Sequence, residues 1–378
     1  MRIAVDARLL YYRQAGIGQY TLRLLEALTR AAPGERFLLL HDRRQPHPVL
    51  QAGNLKHIPI YTPSHHRLEG LTLPVELLPV RPDLLHSPDF VLPVRRGYAG
   101  VVTVHDLAFL RYPEWVTADA ARYYARVREA VHSAERVITV SECTRRDVLE
   151  LLQCPAEKVR VIYEAAGAAF QPQQVAPAPR EFRGRRLAPQ RFILFVGTIE
   201  PRKNLPNLLR AFRLMMDRYP DLEPHPRLVI AGAQGWLSES VLSLVNELRL
   251  SQETAFIGTV SAEELLWLYN AARFLAFPSF YEGFGLPPLE AMSCGTPVVA
   301  TNAGSVPEVV DTAGLLVDPH DVEGWAEAMA RLWGDAALRQ DLRARGLERA
   351  ARFSWERAAQ ETLAVYGEAV AQRRQGGA

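Results

Sequence analysis

Lysine is nearly missing from this chain: only Lys56, Lys158 and Lys203 stand among 44 basic residues, so arginine carries almost all the positive charge. Genomic base composition accounts for most of that bias, but it leaves Lys203, directly beside Arg202, as a pairing to explain. Cysteine is equally scarce. Cys143, Cys154 and Cys294 are too few and too scattered for a disulfide framework or a zinc site. Their odd number leaves at least one thiol free, which fits a reducing, cytoplasmic compartment. An excess of one charge is missing too. With 44 Lys and Arg against 42 Asp and Glu the net charge is +2, which argues against a nucleic-acid partner and against a highly charged disordered chain. No run of about 18 apolar residues occurs, so no segment reads as a membrane span. The opening MRIAVDARLL lacks the basic region and apolar core of a secretory leader and reads as a buried strand. Peripheral membrane binding is compatible with all of these absences.

What is present is an α/β alternation over 378 residues, 48% of them hydrophobic. At roughly 100–200 residues per domain this length predicts two domains. Short apolar runs at Ile3–Asp6, Phe37–Leu40, Leu84–His86, Val101–His105, Val137–Ser141 and Val159–Tyr163 suit strands buried on both faces of a parallel sheet. Helical patterns fall between them at about 18–31, 117–134 and 142–153. The segment 171–190, rich in Pro, Gln and Arg, offers no apolar face and is expected to be a linker. The alternation restarts with runs at Phe192–Val196, Leu228–Ala231, Phe256–Gly258, Phe274–Phe277, Pro297–Ala300 and Leu315–Val317. Helices are expected between these, one starting at Ser261, which has capping-box spacing to Glu264. The expected organisation is therefore two Rossmann-like, doubly wound domains, 1–170 and 191–353, facing each other across a cleft. An amphipathic C-terminal stretch, 354–378, would pack back toward the first domain. A TIM barrel is disfavoured by the mid-chain break and the uneven spacing.

The densest chemistry lies in Tyr281-Glu282-Gly283-Phe284-Gly285-Leu286-Pro287-Pro288-Leu289-Glu290-Ala291-Met292, between a strand and a helix. Gly283 and Gly285 allow close backbone approach or positive φ. The prolines suit a first helical turn, and amides there can meet an anion or a sugar oxygen. A shorter Glu-Gly-Phe-Gly alone reads equally as a glycine-rich turn with a capping glutamate. The full string, with Glu282 and Glu290 eight apart, resembles the signature of family 4 glycosyltransferases, which are retaining, nucleotide-sugar-dependent enzymes of the GT-B fold. The resemblance implies that Glu290 bonds the donor ribose and that Glu282 faces the transferred sugar. It also implies that the backbone at Gly283, Phe284, Gly285 and Leu286 meets sugar or phosphate.

A second segment, Gly197-Thr198-Ile199-Glu200-Pro201-Arg202-Lys203-Asn204, follows a strand directly. Adjacent Arg and Lys at a strand-to-helix transition can neutralise a diphosphate, Arg as a planar fork and Lys as a point charge, although a solvated basic turn has the same composition. The string resembles the family's donor-phosphate motif. Some relatives have a further Arg after the glycine; here Thr198 stands there, so Arg202 and Lys203 carry the charge, with the Lys203 side chain expected to be exposed. Gly16 and Gly18, after the first strand, resemble the family's first glycine loop, which closes over the donor. They lack the full Gly-x-Gly-x-x-Gly of a dinucleotide site.

His105, in Val102-Thr103-Val104-His105-Asp106, ends a strand at its polar edge, and the resemblance places it against the transferred sugar, orienting or polarising an oxygen there. The same position also suits a structural histidine. His86 is a candidate for the acceptor side. Ser141-Glu142 reads most simply as a helix N-cap. Thr301, Asn302, Gly304 and Ser305 read either as donor neighbours or as turn residues, and Val260 and Ser261 resemble the family's base-binding edge. No Asp-x-Asp occurs, which agrees with a metal-independent, cofactor-free reaction in which cations and dipoles neutralise the diphosphate.

The resemblance thus implies retaining transfer of a sugar from a nucleotide diphosphate to an acceptor hydroxyl. The catalytic set is His105, Glu282, Arg202 and Lys203. The motif form is mannosyltransferase-like, favouring GDP-mannose, with a UDP-sugar as the other donor. Acceptors in such branches are glycans or lipid-linked sugars at the inner face of the membrane. The stretch Leu68–Pro79 fits either an apolar acceptor or membrane edge, or ordinary core packing. Two rival readings are a sugar-nucleotide epimerase of the same architecture, which needs no acceptor, and a non-catalytic glycosyltransferase-like binding subunit. Joint retention of Glu282, Glu290, Arg202, Lys203 and His105 argues against the second.

Overall fold

The computed structural model describes residues 1–12, 16–45, 49–115, 126–176, 178–233 and 238–376. The chain forms two compact units, Met1–Glu164 with Ser354–Ala378, and Ala165–Phe353.

The first unit is built on a parallel sheet. Its strands are β1 (Arg2–Asp6), β2 (Arg36–Asp42), β3 (Leu55–Ile60), β4 (Leu84–Ser87), β5 (Ala99–Val104), β6 (Arg136–Thr139) and β7 (Val159–Val161). Their order is β3-β2-β1-β4-β5-β6-β7. The central runs are continuously apolar because helices cover both faces; β5 is buried at every position. The sequence reading misses β3. Pro59 interrupts that strand's pattern, and a proline is tolerated because β3 is an edge strand. Of the helix expected at 117–134, residues 117–125 lie outside the described residues, and Arg126–Ser133 is helical.

The second unit repeats the plan with β10 (Ile193–Val196), β11 (Leu228–Ala231), β12 (Thr254–Gly258), β13 (Phe274–Phe277), β14 (Val298–Thr301) and β15 (Leu315–Val317). Their order is β12-β11-β10-β13-β14-β15. Its core gathers Phe195, Phe212, Phe274, Trp325 and Trp333, all buried. Truncating a ring such as Phe212 to alanine would cost about 3–5 kcal/mol through lost burial and the cavity left behind. In both sheets the strand order reverses beside the first strand of the unit, at β1/β4 and β10/β13. Loops leaving the carboxyl ends of such a pair diverge and open a ligand crevice.

The expected linker is a correction. The boundary falls at Glu164/Ala165, and residues 180–187 belong to the second unit as an antiparallel hairpin, β8 (Arg180–Phe182) with β9 (Arg185–Leu187). Phe182 and Leu187 are buried, and Phe182 packs on Trp267 with ring centroids 5.3 Å apart. One buried apolar residue in each strand, among arginines, was enough to make a strand pair, which composition alone hid. The C-terminal helix, Trp355–Gly376, packs on the first unit as expected. Its Ala358, Ala359, Val365, Tyr366 and Ala369 are buried. Glu368 receives Arg136 Nε and Arg160 Nη2, each at 2.8 Å. Among the described residues no helix is long and apolar enough to cross a membrane.

Candidate active site

The β10/β13 switch point explains why two motifs about 80 residues apart meet. β10 and β13 are hydrogen-bonded neighbours, so the loops after Val196 and Phe277 leave side by side. Gly197 turns the chain away from β10. A Cβ at the facing Gly232 would stand 2.0 Å from the Gly197 carbonyl oxygen, so only glycine allows that approach. Pro201–Lys203 then forms one tight turn, closed by Asn204 in the left-handed region (φ 54°). Asn204 Nδ2 donates to the carbonyls of Pro278 (3.0 Å) and Pro319 (2.7 Å), and the Phe280 amide donates to the Arg202 carbonyl at 2.9 Å. These three bonds lock the loops together.

On that frame the charges converge. Arg202 Nη1 donates to Glu282 Oε2 at 2.9 Å, and its Nη2 to Glu200 Oε1 at 2.9 Å. Lys203 Nζ donates to Glu282 Oε1 at 2.6 Å and lies 5.5 Å from the centroid of the Phe277 ring. The expectation of an exposed Lys203 is corrected: its side chain is 11% exposed, because the ammonium turns inward to Glu282. Burial alone would raise the Glu282 pKa, but the charges of Arg202 and Lys203 outweigh it and hold the carboxyl below its ordinary range. Glu282 is therefore ionised at neutral pH.

Ser305 and Gly304 hold the Glu282 loop from the far side. Ser305 Oγ donates to the Glu282 carbonyl (2.9 Å) and the Phe284 carbonyl (2.7 Å). Gly304 has φ 63°, and a Cβ there would stand 2.9 Å from the Glu282 nitrogen. Both residues thus act through the backbone of the motif, the turn role of the two anticipated for them. Thr301 Oγ1 accepts the Ala303 amide at 3.2 Å, and Asn302 is exposed.

Gly283 and Phe284 are buried, and the Phe284 ring meets Phe353 edge-on at 5.9 Å. Gly285, at φ 106°, caps the helix Leu286–Ser293 without a side chain to occupy its first-turn donors. Pro287 and Pro288 have no N–H, so Leu286 is the donor left at the tip of that turn. One turn on, Glu290 is half-buried, and its Oε2 accepts the Tyr269 hydroxyl at 2.8 Å. Sequence reasoning missed Tyr269. Burial, then the Glu290 charge, holds its pKa well above the ordinary tyrosine value, so it stays a donor. Half-buried Val260 follows β12; Ser261 forms the expected capping box, its hydroxyl accepting the Glu264 amide at 3.1 Å.

In the first unit, Gly16 (φ 54°) precedes the helix Ile17–Ala31, and Gly18 is buried in its first turn; Ala15 lies outside the described residues. His105 follows β5. Its Nδ1 lies 3.0 Å from Glu164 Oε1 and its Nε2 3.0 Å from the Pro88 carbonyl. Both partners are acceptors, so only the imidazolium satisfies both. Burial opposes that charge, but the Glu164 hydrogen bond and charge outweigh it and raise the pKa above the ordinary histidine value. Any contact between a ring nitrogen and a sugar would have to break one of these bonds. Glu164, another residue the sequence did not single out, sits shortly after β7.

His86 does not line an acceptor surface. It is fully buried, with Nδ1 2.7 Å from the Tyr366 hydroxyl and Nε2 2.8 Å from Thr103 Oγ1. Burial, reinforced by the charge on His105, lowers its pKa to about 3 and keeps it neutral. Ser141 caps the helix Glu142–Leu152, accepting the Thr144 amide at 3.0 Å, as anticipated. Among the described residues, no group of three His, Cys, Asp or Glu side chains is placed to hold a metal ion.

Two family models match the chain, "Glycosyltransferase Family 4" over residues 15–166 and "Glycosyl transferases group 1" over 179–349. The O-antigen chain mannosyltransferase B of Escherichia coli is 33% identical over 386 residues, a match covering 97% of this chain and 99% of that protein. This chain belongs to glycosyltransferase family 4.

A D-inositol 3-phosphate glycosyltransferase of Salinispora tropica is 33% identical to this glycosyltransferase, over 77% of its chain and 65% of the relative. Among solved structures, sucrose-phosphate synthase of Thermosynechococcus elongatus superposes with a TM-score of 0.77 at 23% identity, covering 98% of this chain and 100% of that one. Anabaena HepE, solved with UDP and glucose, superposes at 0.71 and 16% identity, over 97% and 99%. These likenesses show the GT-B fold. The enzyme is therefore a GT-B glycosyltransferase whose second unit carries the Arg202–Lys203–Glu282 cluster.

Proposed function

We propose that this glycosyltransferase moves mannose from GDP-mannose to an acceptor hydroxyl of a growing glycan, with retention at the anomeric carbon and without a metal ion. The observation that carries the sugar assignment is the full-length, 33% likeness to a protein named O-antigen chain mannosyltransferase B. The meeting of Arg202 and Lys203 at the carboxyl ends of β10 and β13 supports the phosphate assignment. As the glycosidic bond breaks, negative charge grows on the departing diphosphate, and one of its oxygens takes the acceptor hydroxyl's proton as the new glycosidic bond forms on the same face. Arg202 and Lys203, placed beforehand on a rigid turn, stabilise that charge most when it is largest, which lowers the barrier. Glu282 then faces the sugar while its carboxylate keeps the two cations positioned before the donor arrives. Glu290, oriented by Tyr269, takes the ribose hydroxyls, and the Leu286 amide meets sugar or phosphate. The acceptor is a glycan or lipid-linked sugar at the cytoplasmic face of the membrane.

Nucleoside diphosphate release, measured across GDP- and UDP-sugars with glycan and lipid-linked acceptors, tests this reading. GDP release that requires both GDP-mannose and an acceptor is expected, with an α-linked product. Preferential use of a UDP-sugar would overturn the donor assignment. Release without an acceptor, yielding free epimerised sugar, would favour the epimerase instead.

A further inference from the structure

We propose that Arg183 selects guanine as the base of the donor nucleotide, a role that rests on the GDP-sugar reading above. Arg183 is exposed and stands in the two-residue turn between β8 and β9, where Phe182 pairs with Arg185. Its φ is 45°, in the left-handed region. Tight hairpin turns favour Asn, Asp or Gly at that position, because a longer L side chain there carries backbone strain. Asn would relax the turn, so the arginine points to a use for its side chain.

Packing directs that side chain to the carboxyl end of β12. The hairpin is held by Phe182 on Trp267 of the helix Ala262–Ala271, and Arg183 Nη1 donates to the Ile257 carbonyl of the edge strand β12. A Cβ at Gly258, where φ is 64°, would stand 2.8 Å from the same Nη1, so glycine lets the guanidinium lie directly on the backbone. The Gly232 amide donates to the Gly258 carbonyl at 2.9 Å, and Gly232 abuts Gly197. The ends of β12, β11 and β10 thus form one rim, with Arg183 at one end and the Lys203 turn at the other. Val260, which resembles the family's base-binding edge, follows Gly258 by two residues.

The remaining donors of the fork are uncommitted. Among the described residues Arg183 makes no hydrogen bond besides that to Ile257. Arg180, on the same hairpin, is taken up by Glu263 at 3.3 Å. The Glu264 carboxylate feels the Arg183 charge but is engaged by the Ser261 amide at 2.7 Å. A guanidinium offers donors only. Guanine presents two adjacent acceptors, O6 and N7, which that fork meets bidentately, whereas adenine sets a donor beside N7 and a pyrimidine lacks the N7 acceptor. A clip that only ties the hairpin to β12 would serve every base alike, so base selectivity separates the two roles.

Calorimetry of the whole protein with GDP, 7-deaza-GDP and UDP tests this role without acceptor or turnover. The wild type is expected to bind GDP more tightly than either of the others, since 7-deaza-GDP lacks the N7 acceptor. Arg183→Asn should lower GDP affinity about ten- to a hundredfold, the size of one bidentate base contact, and should leave UDP affinity within about twofold. The preference for GDP over 7-deaza-GDP should vanish in that variant. Its thermal midpoint should stay near that of the wild type, because Asn suits the left-handed turn. Arg183→Lys keeps the charge without the fork and should not restore the preference. A GDP preference that Arg183→Asn leaves unchanged would overturn the role of Arg183 while the donor reading stands. Equal losses for GDP and UDP would overturn it too and make the arginine a structural clip. A wild type that prefers UDP would overturn the donor reading and this role with it.

Discussion

Lys203 Nζ and Glu282 Oε1 lie 2.6 Å apart although 79 residues separate them, with 11% and 9% of their side chains exposed. The lysine therefore holds the fold together, besides the phosphate role proposed for it. Lys203→Ala leaves Glu282 with Arg202 as its remaining cation, so the loss is smaller than the 3–5 kcal/mol typical of breaking a buried pair outright. Destabilisation of about 1–3 kcal/mol is expected, together with weaker GDP binding. Urea unfolding and calorimetry with GDP check the two effects separately. Unchanged stability would mean that the pair does not form in solution, and unchanged GDP affinity would remove the phosphate role.

The Tyr269 hydroxyl donates to Glu290 at 2.8 Å, so variants of the two residues separate the positioning and ribose-binding roles proposed for them. Glu290→Gln should raise the nucleotide dissociation constant more for ribonucleotides than for 2′,3′-dideoxy analogues. Tyr269→Phe should show the same preference at smaller size, about three- to tenfold, because the carboxylate remains but turns more freely. Equal effects on both classes of nucleotide would remove the ribose assignment.

The periodic features of the fold were legible because they are local. Every strand anticipated from an apolar run is present, and the Ser261–Glu264 capping box forms as the spacing required. Apart from β3, whose Pro59 breaks the local pattern, what escaped depends on long-range pairing. The hairpin around Arg183 and Gly184 stands on Phe182 reaching Trp267. The burial of Lys203 depends on Glu282, and the environment of His105 on Glu164. No spacing rule connects residues so far apart. His86 was misread for the same reason: its partner Tyr366 lies 280 residues away, on the C-terminal helix.

The His105–Glu164 contact makes a prediction with a definite direction in pH. The folded state raises the histidine pKa, so it binds the proton more tightly than the unfolded chain does. The resulting stabilisation is complete below about pH 6.5, the ordinary histidine value, and fades as pH climbs through the raised folded value. Glu164→Gln should cost about 1.5–3 kcal/mol near pH 6 and less near pH 9. Urea midpoints at the two pH values check it. An equal loss at both would show that the ring is neutral in the fold.

Gly304 offers a way to disturb Glu282 without touching its side chain. At φ 63°, an alanine carries about 1–2 kcal/mol of backbone strain, and its Cβ would stand 2.9 Å from the Glu282 nitrogen and 3.1 Å from its oxygen. Gly184, in the hairpin of the same unit, has φ 79° with nothing within 4 Å of an added Cβ. Gly184→Ala therefore carries the backbone strain alone, and the difference between the two variants isolates the clash. Gly304→Ala should lower the thermal midpoint further, by about 2–4 °C for each additional kcal/mol in a unit of this size, and should weaken GDP-sugar binding while Gly184→Ala leaves it unchanged. Equal midpoints with equal donor affinity would mean that the Glu282 loop yields freely to the new methyl group, and that its position is not held from the Gly304 side.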